Sequence, residues 1–307
     1  VTLSSNTVSL ENEHWRLGIL PRLGASPVAL EARVNDGWHA VMRPAPPEAL
    51  HGESSSPLSS YTLAPYSNRI RDGRFTFRGR EYQLRPNNAK GEFIHGDVRN
   101  RAWTVTRASD QRLECRFDSR TVSDANFPFD YTALLTYSLE GEQCITRIAL
   151  ENVSGVAMPA GVGFHPYFVR RFAGSMNDPR LEFRASGYYV TDALTIPTEG
   201  AQPIPQLLDF SSAKDAYAQP LDTVYNGWDG HATVTWDAHR LEISATPLFT
   251  HFVAFNGAPD GTLALEPVSH ATDGFNLMAR FVPDTGVRVL EPGERLEGEF
   301  ALQLVTL

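Results

Sequence analysis

Five short stretches of this 307-residue chain carry side chains whose types and spacing suit chemistry. "APYSNRIRDGRF" (64–75) sets Asn68 and Arg69 ahead of a turn. A guanidinium is a planar fork of donors that can serve two neighbouring hydroxyls. The plainer alternative is a loop arginine paired with an acid such as Asp72. "GEFIHGDVRNRAW" (91–103) joins His95 to Gly96, a residue that lets backbone turn sharply or approach a neighbour closely. "GVGFHPYF" (161–168) fuses His165 to Pro166, which biases the histidine to an extended conformation and interrupts a strand ladder. Phe164, Tyr167 and Phe168 surround that imidazole in sequence. "PLDTVYNGWDG" (220–230) places Asp222 in a strand-like run followed by Asn226, Gly227 and Trp228, a carboxylate for hydroxyls and an aromatic face for sugar C–H groups. "GTLALEPVSHATDGFNL" (261–277) ends an apolar run on Glu266, a position awkward for a carboxylate unless it is hydrogen-bonded or functional.

Together these supply one arginine, two histidines and two acids, a set suited to a neutral polyol and to proton transfer. No glycine-rich phosphate loop accompanies them. His95, His165 and an acid could in principle bind a metal, but no HxH or HExxH spacing is present, so no metal is expected. A serine nucleophile would want a GxSxG elbow, which is absent. Asp222 and Glu266 could be offered as the two carboxylates of a glycosidase, but His165 is then unexplained. A net charge of -9 argues against nucleic acid and anionic membrane as partners. Cys115 and Cys144 form no CxxC and read as small buried residues in strands. The N-terminal stretch has neither a basic n-region nor an apolar h-region, and no run of about 18 apolar residues follows. The expected location is cytoplasmic.

The elements that must position these residues are almost all strands. Period-two alternation marks hairpins over 74–84, 101–117, 129–152 and 232–246, and a Pro-Gly turn leads into a long last strand within 286–307. One short helix is expected at 211–219, capped by Ser211 or Ser212. The stretch 43–57 reads as a surface loop. No linker, repeat or low-complexity segment divides the chain, so residues 1–307 read as one large antiparallel β-sandwich.

In this order and spacing, "NRI" (68–70), "HG" (95–96), "HPYF" (165–168), "LD" (221–222) and "LEP" (265–267) resemble the aldose 1-epimerases, or galactose mutarotases. The pieces span most of the chain, and "HPYF" with the later "LEP" is the most specific pair. The resemblance implies an all-β sandwich of the galactose mutarotase type with an open sugar-binding cleft. It implies Glu266 as catalytic base and His165 as catalytic acid, with Arg69, His95, Asp222 and, more loosely, Asn68 binding the sugar. It also implies a free aldohexose such as galactose or glucose as substrate, no cofactor, and a monomer or homodimer. The chain departs from many members at "IHGD", which lacks a second glycine, and in the loop after Glu266. A hexose 6-phosphate epimerase, with Arg71, Arg74 or Arg99 on the phosphate, and a non-catalytic sugar-binding sandwich are the alternatives.

Overall fold

The alternation written in the sequence becomes strand almost throughout. The computed structural model describes residues 7–307; the reading of the N-terminus rests partly on residues 1–6, which lie outside the described residues. The expected hairpins form as Arg74–Phe77 with Arg80–Gln83, Thr104–Ala108 with Arg112–Asp118, Tyr131–Glu140 with Gln143–Asn152, and His231–Thr235 with His239–Ala245. All but the first join the last strand, Arg295–Thr306, in a nine-stranded antiparallel sheet.

A seven-stranded sheet faces it. Its strands are Thr62–Leu63, Gly163–Phe164, Tyr167–Phe168, Asp222–Asn226, Gly187–Tyr188, His251–Phe255 and Leu263–Val268. Successive side chains in a strand point to opposite faces, and here that alternation sorts the residues cleanly. Phe164, Phe168, Phe252, Ala254, Leu263 and Leu265 share one buried core with Leu135, Ile148, Ile243 and Leu302 of the nine-stranded sheet. Burying each of the larger side chains is worth about 1.5–3 kcal/mol. Tyr61, Leu63, Tyr167, Val224, Val253, Ala264 and Val268 form a second cluster on the other face. His165 alternates with Phe164, and Glu266 with Leu265, so both belong to this second face. The result is the β-sandwich expected.

One local reading is corrected. Residues 211–219 form no helix: Asp209 and Asp215 accept hydrogen bonds from the backbone N–H groups of Ser211 and Tyr217, and Lys214–Asp215 pairs as a short strand with Arg180–Leu181. Side chains that bond their own backbone two residues on favour turns over helix. The α-helix is instead Gly274–Ala279, one and a half turns after the Glu266 strand. The stretch 43–57 runs over the surface as expected, with most of its residues exposed or half-buried. It contains a 3-10 turn at Pro47–His51 and buries Ala45, Ala49 and Leu50 against Leu58. Cys115 and Cys144 are free and buried in strands, with thiols pushed up to about 12 by desolvation. Among the described residues no helix is long and apolar enough to cross a membrane.

Candidate active site

The centre of the second face is a buried pair. His165 Nε2 lies 3.1 Å from Glu266 Oε1, with side chains 7% and 4% exposed. Local sequence accounts for the placement. Pro166 has no N–H to give to a ladder, and its carbonyl accepts from Leu265 N, while His165 N donates to the Tyr61 carbonyl at 3.0 Å. Two short strand pieces therefore flank the histidine and fix its backbone on both sides. Its ring packs against both Tyr61 and Tyr167, with each centroid at 4.6 Å. Phe164 and Phe168, the other aromatic neighbours in sequence, point into the core instead. Glu266 Oε2 and His165 Nδ1 are buried with no hydrogen-bond partner among the described residues.

Three residues from two loops close one side. Asn68 takes a left-handed conformation, and its Oδ1 accepts from Arg69 N at 2.9 Å. Arg69 Nε and Nη2 both donate to Glu92 Oε1 at 3.2 Å. The arginine is thus ion-paired, but to Glu92 rather than to Asp72. His95 N donates to the Asn68 carbonyl at 2.9 Å, which ties the two loops together. The His95 ring meets His165 edge-on at 5.1 Å. Gly96 follows with φ +74°, and a Cβ there would sit 2.0 Å from the Ala64 carbonyl oxygen, so the turn demands glycine.

Asp222 begins its strand at the open end. In register it stands opposite Phe255, then Ala264, then Tyr167, while Glu266 stands opposite Val253, then Val224. The two acids therefore share a face, one side-chain repeat apart along the strands. Trp228 does not join them. It is buried in the core, stacked on Phe252 at 4.5 Å, and donates its indole N–H to the His231 carbonyl. The aromatic side chain open to this face is Phe255, which lines the adjoining cavity.

Desolvation dominates the electrostatics. Burial pushes Glu266 well above the usual carboxyl range, Asp222 adds to the shift, and Arg69 opposes it. Burial lowers His165 well below the usual imidazole value, helped by Arg43 and Arg99. His95 is lowered in the same way by burial, His165, Arg99 and Arg69. Asp222 reaches solvent, yet the protein crowding its carboxyl raises it, again against Arg69. Glu92 is raised by burial but held low overall by the Asn88 hydrogen bond and the Arg69 charge. A resting site with ionised Glu266 and protonated His165, which ordinary pKa values suggest, is therefore opposed by burial: the uncharged pair holding one proton is favoured.

Beside the pair opens a cavity of about 720 Å³, with Tyr61, His95, Arg99, Tyr167, Lys90 and Phe255 on its wall. Tyr61, Arg43 and Glu92 were not legible as site residues, because "SSYTL", "VMRP" and "KGEF" carry no spacing that marks chemistry. Arg43 caps Tyr167 at 3.5 Å from its ring centroid. Among the described residues no group of three or more His, Cys, Asp or Glu side chains is placed to hold a metal ion.

A family profile described as aldose 1-epimerase matches residues 6–303. Among curated proteins, the uncharacterized protein YphB of Escherichia coli K12 is 27% identical over 257 residues, 80% of this chain and 83% of that one. The aldose 1-epimerase of Escherichia coli K12 is 26% identical over 218 residues, covering 67% of this chain and 60% of its own length. A solved galactose mutarotase-like protein from Clostridium acetobutylicum superposes with a TM-score of 0.85 at 21% identity, over 98% of this chain and 95% of that one. At that identity the superposition speaks for the fold.

Proposed function

From the premise that the chain belongs to the aldose 1-epimerase family, we propose that it interconverts the α and β anomers of a free aldose, using Glu266 and His165 as its proton-transfer pair. The observation that carries this reading is the buried 3.1 Å contact between the two side chains, with one carboxylate oxygen left unpartnered. A module that only bound sugar would gain nothing from burying two titratable groups against each other.

The chemistry needs one proton taken and one given. The O1 hydroxyl of the sugar takes up the free lone pairs of Glu266, and this hydrogen bond favours the carboxylate and leaves the shared proton on His165 Nε2. Glu266 then takes the O1 proton. The O1–H electrons form the C1=O1 bond, the C1–O5 bond breaks, and its electron pair takes the proton from His165. The open aldehyde rotates about C1–C2, and the steps reverse on the other face. The pair ends as it began. Tyr61 and Tyr167 fix the imidazole plane, Arg69 and His95 hold hydroxyls near the ring oxygen, and Asp222 holds those farther along. Asn68 positions Arg69 through its backbone.

Polarimetry of freshly dissolved α-D-glucose and α-D-galactose tests the reading. Added protein should speed the approach to equilibrium well beyond the spontaneous rate. An unchanged rate for these sugars and for pentoses, uronates and hexose phosphates alike would dismiss it.

A further inference from the structure

The cavity beside the histidines carries a buried cation that no acid balances. Arg99 is 4% exposed and lies on the cavity wall. Its Nη1 donates to Ser56 Oγ at 3.2 Å, its guanidinium lies 5.3 Å from the Tyr61 ring centroid, and its Nε is buried with no hydrogen-bond partner. Among the described residues no carboxylate lies within ion-pair distance of it. The other two guanidiniums at the site each have an acid: Arg43 has Asp260 at 3.1 Å and Arg69 has Glu92 at 3.2 Å. A buried cation with no counter-ion is costly, and the cost is relieved when an anion arrives. Lys90 adds a second cation to the same wall. Of the two acids there, Glu53 is exposed and Glu92 is already engaged by Arg69 and Asn88.

We infer that the preferred substrate is an aldose with an anionic group on its exocyclic carbon, a carboxylate or a phosphate, and that Arg99 receives that group. The inference rests on the reading of His165 and Glu266 as the mutarotase pair. The exocyclic carbon is bonded to the carbon that bears the ring oxygen, so placing the ring oxygen at His165 brings this substituent to the same side of the site. Tyr61 bridges the two positions, touching His165 at 4.6 Å and Arg99 at 5.3 Å. Arg71 and Arg74, which could also have served a sugar phosphate, are engaged elsewhere, with Asp192 at 2.6 Å and Glu81 at 3.6 Å.

The test compares kcat/KM, after subtraction of the spontaneous rate, for glucose, galactose, glucuronate, galacturonate and glucose 6-phosphate. At least one anionic sugar is expected to exceed its neutral counterpart more than tenfold, and whether a uronate or the phosphate does so identifies the group. In Arg99→Met this ratio should fall close to one, while Arg99→Lys keeps part of it. Equal or better turnover of the neutral sugars, or a ratio that Arg99→Met leaves unchanged, overturns the inference. Methyl β-glucuronide and methyl β-glucoside, which cannot mutarotate, separate its failure from that of the mutarotase reading. Calorimetric preference for the glucuronide that depends on Arg99 supports the anion site even if no sugar is turned over. Absence of preference for either an anionic ligand or an anionic substrate removes it. Should both variants fail to fold, the parent's own preference decides.

Discussion

At the scale of single residues, the chemistry turns on two buried groups that hold one proton between them. Because burial lowers His165 and raises Glu266, the limbs of the pH–rate profile belong to the pair and not to either residue alone. On the acid side activity is lost as the pair gains a second proton, which lowered His165 resists. On the basic side it is lost as the pair gives up its only proton, which raised Glu266 resists. The expected kcat/KM profile is therefore a plateau broader than ordinary histidine and glutamate values would give. A narrow bell centred between the ordinary glutamate and histidine values would argue that the side chains are solvated. His165→Asn should lower turnover by about 10² or more, because an amide cannot act as a general acid; loss of only a few-fold would remove it from that role. Arg69→Ala should act mainly on KM, since hydrogen bonds to charged groups are worth about 1.5–3 kcal/mol, roughly ten- to a hundredfold. A fall in thermal stability with KM unchanged would make Arg69 a partner of Glu92 and nothing more.

At the scale of elements, the site depends on backbone that a strand alone cannot supply. His95 and Gly96 both have positive φ, and the Gly96 backbone passes against Ala64 with no room for a side chain. Gly96→Ala should cost about 2 kcal/mol or more in unfolding free energy and should also raise KM, because His95 sits on the same turn. Denaturant unfolding together with saturation kinetics checks this; a variant stable and saturable like the parent would show that the turn is not what places His95. The hairpins were legible because period two survives wherever one face is buried and the other wet. The short strands that flank His165 and follow Tyr61 were not, since strands of two residues show no period. The helix was misplaced for a related reason. "SSAKDAYAQ" has helical composition, but Asp209 and Asp215 capture local backbone N–H groups first.

At the scale of the whole molecule, a nine-stranded sheet backs a seven-stranded one, and the charged chemistry sits on the far face of the smaller sheet. Asn68, Arg69, His95, His165, Asp222 and Glu266 could be singled out from sequence as candidates, by the short motifs in which they sit. Glu92, Arg43 and Tyr61 could not, since their places at the site arise only when segments distant in sequence fold onto one cavity, and Arg99 stood out only as one of three arginines for a sugar phosphate. The fold also stores the cost of its own site. Glu266 has a folded pKa above its unfolded value, so the stability of the parent is complete below the unfolded value and declines as pH rises through the folded one. Glu266→Gln lacks this titration, and its Tm relative to the parent should climb with pH, at roughly 2–4 °C per kcal/mol relieved. A constant difference across pH would mean the carboxyl is not desolvated. The same variant provides the most direct measurement of the central claim: turnover and sugar affinity in Glu266→Gln, measured on the same samples across the pH range. Affinity should stay close to the parent's, with turnover lower by about 10² or more at every pH and no recovery under alkaline conditions. Parental turnover with an unaltered pH profile would contradict it, because the proton from O1 would then be taken by some other group.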